Sequence, residues 1–391
     1  MNQVLLAVLI DALRHDFITK KHTPFIYSLL REGGVLGELI PPFTFSFHPV
    51  WFAGLYPEES GQWLSPIFSP NTSPWRFISS LSFFTDRIPI LRKFCNLSIA
   101  ILNGVKETVA TETPLEIARY FDYPVRKVPW SVNYVPGHKT LFDIMRENNM
   151  KWLYIGYPPD RTSTAYVYKK FRKRINREFS FIWLHFGDVD RMGHKFGPLS
   201  YKVSQELRQI DRIIGKILDI LESLFDEIDI VIFGDHGMVE VKKTIDIMSL
   251  FRNSKLKLHK DFIYFLGATT ARFWFKNETS KNIAKNILCN IPEGFILDEN
   301  WLRKLRCRFF NREYGDLIFA MKGGAIICPN FFNGNNPPKG MHGYLPCVKD
   351  NHAAIVVYGA KAWRLPKEFI LETPQVFNIM LNALNLKYQK S

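Results

Sequence analysis

The chain has 391 residues, 47% of them apolar, which is enough to bury a large core and excludes a disordered chain. Lys and Arg number 51 against 37 Asp and Glu, and the net charge of +14 favours phosphorylated substrates, nucleic acid or acidic lipid as partners without choosing among them. Five cysteines, at 95, 289, 307, 328 and 347, form no CxxC pair and show no small-domain spacing, so the thiols are expected to be reduced and mostly buried in a cytoplasmic protein.

The opening stretch MNQVLLAVLIDALRHD has only about seven apolar residues in a row, no basic leader and an Asp that closes it. It reads as a strand, Val4 to Ile10, not as a signal peptide. Next, PPFTFSFHPVWFAGLYPEESG places hydroxyls at Thr44 and Ser46 ahead of a predicted short helix. Residues 66–137 are rich in aromatics, Pro and Ser and read as an insertion, with Trp75, Phe77, Phe83 and Phe84 either packing its own core or lining a ligand groove.

Short apolar runs then mark strands at Trp152 to Gly156, Phe179 to Phe186, Ile230 to Phe233 and Ala353 to Tyr358. Between two of them Val203, Leu207, Ile210, Ile214, Ile217, Leu221 and Leu224 recur at helical spacing, giving strand, helix, strand. That alternation predicts an α/β fold, a doubly wound, mostly parallel sheet flanked by helices. Residues 255–335 read as a second insertion, a small α+β cap. Both insertions are expected around the ligand-binding edge of one catalytic domain spanning 1–391. A cationic run at 168–177, YKKFRKRINR, is a solvated face or a contact for an anionic membrane. Nothing approaches the roughly 18 consecutive apolar residues of a membrane span, so a soluble protein is expected.

In open α/β sheets ligands gather beyond the carboxyl ends of strands. Asp11 closes the first strand; Asp188, Asp190 and His194 follow the run ending at Phe186; Asp235 and His236 follow DIVIF; His342 precedes the last strand. A lone Asp or His at such a position is more often a cap or turn residue. Four strand ends supplied together point to a site for two metal ions, and mixed Asp and His donors suit zinc or a similar first-row ion. A hydroxyl at a helix N-terminus, from Thr44 or Ser46, sits where an anion is favoured and suits a nucleophile or a simple helix cap.

The ordered set LIDALRHD, TPFIYSLLREGG, GLYPEESG, DRMGHKFGP, GDHGM and MHGY resembles the type I phosphodiesterase/nucleotide pyrophosphatase family of the alkaline phosphatase superfamily. The resemblance covers roughly residues 1–65, 150–245 and 335–385 and implies an alkaline-phosphatase-like fold. It implies that Asp190, His194 and His342 hold one zinc and that Asp11, Asp235 and His236 hold the other together with Thr44. Thr44, ten residues before Gly54, takes the place of the nucleophile, with a phosphothreonine intermediate. Three positions depart from the family's pattern: Ala12 replaces a glycine, Leu345 an aspartate, and Ser65 stands where an asparagine contacts the phosphoryl group.

The expected function is therefore hydrolysis of phosphate esters, as a phosphodiesterase or nucleotide pyrophosphatase acting on nucleotides, nucleotide sugars or lipid head groups. Ser65 keeps open a phosphomonoesterase, phosphonate hydrolase or phosphotransferase on the same site. A metal-stabilised binding protein is a third reading. No nucleic-acid motif is present, so no specific nucleic-acid binding is expected.

Overall fold

The computed structural model describes residues 2–78, 82–359 and 365–388, apart from the Phe84 side chain, which lies outside the described residues. The main sheet begins with β1 (Gln3–Ile10), β2 (Val35–Ile40), β3 (Lys151–Ile155), β4 (Phe179–Phe186) and β5 (Glu227–Phe233). A second sheet follows, β6 (Phe262–Leu266), β7 (Thr270–Phe275), β8 (Gly294–Ile296) and β9 (Leu317–Met321), and then the main sheet is completed by β10 (Ala353–Tyr358) and β11 (Glu368–Glu372). Its order is β11-β2-β10-β5-β1-β4-β3. Pairing is parallel throughout except where β10 runs against its neighbours β5 and β2.

Alternation along β1 explains why the sequence reads as continuously apolar. Val4, Leu6, Val8 and Ile10 face one core and Leu5, Ala7 and Leu9 the other, so both faces are buried. Helices Pro24–Arg31, Thr164–Arg174 and Tyr201–Glu222 cover the first face. Helices His48–Ala53, Leu141–Glu147 and Gln375–Ala383 cover the second. The expected doubly wound α/β sheet is thus present, with its strands at the predicted places to within about three residues.

Residues 262–321 carry the second sheet, antiparallel in the order β6-β7-β9-β8, with helices Glu278–Cys289 and Glu299–Lys304. The earlier aromatic-rich stretch folds around Trp75, Ala100, Leu115 and Tyr123, so Trp75 packs its own core while Phe77 and Phe83 are exposed. The cationic run lies on helix Thr164–Arg174. Val167 and Phe171 face the core, while Lys169, Arg172, Lys173 and Arg174 face solvent and complement the negative end of the helix dipole. No described helix is long and apolar enough to cross a membrane. All five cysteines are free, but only Cys307 is buried, and Cys289 and Cys347 are exposed, contrary to the expectation of mostly buried thiols.

Candidate active site

Parallel strands deliver the polar residues to one edge of the sheet. Asp11 follows β1 directly and Asp235 and His236 follow β5, the neighbouring strand. After β4, Gly187 turns the chain into helix Asp188–Phe196, and the four-residue spacing of Asp190 and His194 puts both on one face. His342 arrives from the loop ahead of β10. That loop needs glycine: Gly343 has φ +78°, and a Cβ there would lie 2.3 Å from the Phe45 ring. Gly237 is needed equally, since a Cβ would sit 2.3 Å from the Asp350 carbonyl oxygen.

Two clusters result, Asp190 with His194 and His342, and Asp11 with Asp235 and His236. In the first, Asp190 Oδ1 lies 3.2 Å from His194 Nε2 and 3.6 Å from His342 Nε2. In the second, His236 Nε2 lies 3.5 Å from Asp11 Oδ1 and 3.4 Å from Asp235 Oδ2. The rings of His236 and His342 stack at 3.7 Å and join the clusters. His194 Nδ1 donates to the Gly340 carbonyl and His236 Nδ1 to the Gly237 carbonyl, both at 2.8 Å, which leaves each Nε2 aimed inward as a donor for a metal.

The electrostatics describe a site short of positive charge. Burial, then the proximity of Asp190, pushes Asp11 up to about 7, and burial with Asp11 nearby pushes Asp235 up to about 7. Despite its burial, Asp190 is held below the usual carboxylate range by His194, His342 and His236. His194 rises to about 9, burial being outweighed by Asp190. Burial and the neighbouring His236 push His342 down. Asp11 Oδ1, Asp190 Oδ1 and His342 Nδ1 are buried without a hydrogen-bond partner. Buried carboxylates this close are costly unless cations sit among them, and three carboxylates with three imidazoles are a donor set that fits two divalent ions.

Thr44 lies in the loop before helix His48–Ala53, buried, its hydroxyl donating to the Trp63 carbonyl at 2.8 Å and accepting the Ser46 N–H at 3.0 Å. Its neighbours hold the loop over the clusters: the Phe45 ring is 5.9 Å from that of His342, and Phe47 is 6.0 Å from His236. Ser46, not Thr44, is the hydroxyl residue of this loop that lines the adjoining cavity of about 490 Å³. Ser65 lines the same cavity, and its hydroxyl donates to the half-buried Glu107 carboxylate. His48 is packed between Trp51 and Phe52 and bonded to the Tyr157 carbonyl. Asp188 does not join the site: it accepts from the Thr164 N–H at 2.9 Å and pairs with Arg191, capping helix Thr164–Arg174.

Sequence reasoning missed several residues. His185, next to last on β4, lies 3.5 Å from Asp11 with neither ring nitrogen bonded, and burial pushes it down to about 4. Its only signal was a histidine within an apolar strand ending at the site. Lys106, Glu107 and Tyr134 from the first insertion and Arg272 from β7 also line the cavity. Both insertions therefore wall it.

The family described as type I phosphodiesterase/nucleotide pyrophosphatase matches residues 127–345, a span that holds Asp190, His194, Asp235, His236 and His342 but neither Asp11 nor Thr44. Mouse ectonucleotide pyrophosphatase/phosphodiesterase family member 7 is 27% identical over 256 residues, 64% of this chain and 53% of that protein. The bovine bis(5'-adenosyl)-triphosphatase ENPP4 is 22% identical over 98% of this chain and 78% of its own length. The chain thus spans about half the length of the mouse relative and more of the bovine one. Among solved structures, human ectonucleotide pyrophosphatase/phosphodiesterase 5 superposes with a TM-score of 0.67 at 16% identity, covering 99% of this chain and 96% of that one. The murine protein, in an inactive threonine-to-alanine form bound to AMP, gives 0.66 at 16% identity over the same shares.

Proposed function

Since the chain belongs to the type I phosphodiesterase/nucleotide pyrophosphatase family and has an alkaline-phosphatase-like fold, we propose that it hydrolyses phosphate esters, diesters by preference, with Thr44 as nucleophile and two zinc ions. The observation that carries this reading is the pair of three-residue clusters joined by the His236–His342 stack, set beside the Thr44 loop. The inactive threonine-to-alanine form of the murine neighbour supports the choice of a threonine. Bound divalent ions would neutralise the phosphoryl oxygens and lower the pKa of a coordinated hydroxyl or water.

The chain's own residues define the rest. Thr44 Oγ1 bonds to phosphorus as the bond to the departing oxygen breaks, the Thr44 proton passing through solvent to the departing alcohol; water then attacks the phosphothreonine, releasing the phosphoryl product and restoring the Thr44 hydroxyl. In the resting geometry the Trp63 carbonyl holds the Thr44 proton, so the hydroxyl must turn away from it before attack. Asp190, His194 and His342 would hold one ion and Asp11, Asp235 and His236 the other with Thr44, and Ser65, oriented by Glu107, lines the cavity that the substrate would enter. A cavity of about 490 Å³ lined by Tyr134, Tyr157 and Phe265 has room for an organic group on the phosphoryl centre, which favours a diester of a nucleotide or other small molecule.

A second reading rests on Ser46, which lines the cavity where Thr44 does not. Metal content and hydrolysis of bis-p-nitrophenyl phosphate against p-nitrophenyl phosphate decide between them. Two metal equivalents, faster diester cleavage and loss of turnover in Thr44→Ala support the proposal. Loss in Ser46→Ala alone transfers the nucleophile to Ser46. Faster monoester cleavage makes the protein a monoesterase, and metal without turnover of either ester leaves a binding protein.

A further inference from the structure

Helix Pro89–Leu102 of the first insertion buries one face, with Asn96 and Ala100 turned inward. Its other face is apolar and open to solvent: Ile90 (82% exposed), Phe94 (67%), Leu97 (48%) and Ile101 (67%) follow one another at spacings of four, three and four residues, a single helical stripe. Helix Ser82–Thr85 lies against this one and exposes Phe83, and Phe77 of the same insertion is 78% exposed. A soluble surface rarely leaves so many large apolar side chains together.

The charges around the stripe identify what covers it. From residue 76 to 102 the cations are Arg76, Arg87, Arg92 and Lys93, and the one acid is Asp86. Arg92 and Lys93 both pair with Glu112, so the charge beside the exposed rings is carried by Arg76 and Arg87. The Arg76 guanidinium lies 4.4 Å over the Phe77 ring and Arg87 4.0 Å over Phe83, pairing an apolar ring with a cation twice. A helix with such an apolar face lies in the plane of a lipid interface, the stripe among the acyl chains and the cations beside it, Arg76 and Arg87, at the level of the headgroup phosphates. A second copy would bring like charges together across the contact, in a chain that already carries +14.

We propose that the stripe on helix Pro89–Leu102 docks the protein on a bilayer carrying anionic headgroups. Lys106 and Glu107, which wall the catalytic cavity, follow Leu102 by four and five residues, so docking sets that wall within about 20 Å of the surface.

The test is co-sedimentation with vesicles of phosphatidylcholine alone or mixed with phosphatidylserine, using wild type, F94S/I101S and R76Q/R87Q. Wild type is expected on the phosphatidylserine vesicles, with partitioning lowered roughly tenfold or more by F94S/I101S. R76Q/R87Q is expected to weaken binding and flatten its salt dependence. Unchanged turnover of a soluble ester shows that each variant is folded. No binding of wild type, or binding indifferent to F94S/I101S in folded protein, overturns the proposal. So does a concentration-dependent dimer that F94S/I101S abolishes, because the stripe then belongs to a second copy.

Discussion

The imidazoles of His236 and His342 lie parallel, 3.7 Å between centroids and 7° between planes, although they come from loops more than a hundred residues apart. One belongs to each cluster, so this stack ties the two together. His342→Ala is therefore expected to lower metal content from two equivalents to one, as read by elemental analysis. Ester turnover is expected to fall by at least about a hundredfold, since even outer partners of metal ligands reach that loss.

The clustered carboxylates and imidazoles also give the metal-free protein a direction in pH. Unfolded Asp and His release their protons near 3.9 and 6.5. In the fold Asp11 and Asp235 keep theirs to about 7 and His194 to about 9. Between about 6.5 and 9 the folded state thus holds more protons, and stability falls as pH rises. Below that window the half-buried His48 and the buried His185, both pushed down to about 4, act in the opposite direction. Thermal melts in chelator are expected to show Tm falling from pH 6.5 to 9. Zinc-loaded protein is expected to show a flatter profile, because the ions displace those protons.

Arg272 of β7 joins the second sheet to the loop that carries Ser65 and Pro66. Its guanidinium is buried over the Phe265 ring at 4.9 Å and donates to the Pro66 carbonyl at 2.7 Å, and burial pushes its pKa down to about 10. Arg272→Met leaves the Pro66 carbonyl without its donor and is expected to cost about 1–3 kcal/mol of stability. Pro66 follows Ser65, so KM is expected to rise more than kcat falls, measured by denaturant titration and steady-state kinetics.

The fold was legible wherever a strand is buried on both faces. Val4 to Ile10 and Phe179 to Phe186 are unbroken apolar runs for that reason. β2 and β11 were missed because they lie towards one edge and alternate: β2 hides Val35 and Leu39 but leaves Leu36 and Glu38 half-buried, and Gly37 makes room for the Phe369 ring. The clustering of Asp11, Asp190, His194, Asp235, His236 and His342 was legible because each follows or precedes a strand end. Thr44 was placed from family spacing, and nothing in that spacing reveals that its hydroxyl turns to Trp63. Glu107 and Arg272 were not legible, since each reaches the cavity from an insertion by tertiary contact alone.

Ala12 occupies the position where the family resemblance places a glycine, and its φ is +61°, in the left-handed region. A Cβ in that region costs roughly 1–2 kcal/mol. The conformation is held because the Ala12 N–H donates to Asp235 Oδ1 at 3.2 Å, which fixes the orientation of that carboxylate next to Asp11. Ala12→Gly removes the steric cost and keeps the N–H, while the freer unfolded chain returns about 0.5–1 kcal/mol of it. The variant is expected to be more stable by up to about 1 kcal/mol with metal content unchanged. A calorimetric melt with metal analysis checks both, and a lower Tm would show that the Ala12 methyl group contributes packing that outweighs its strain.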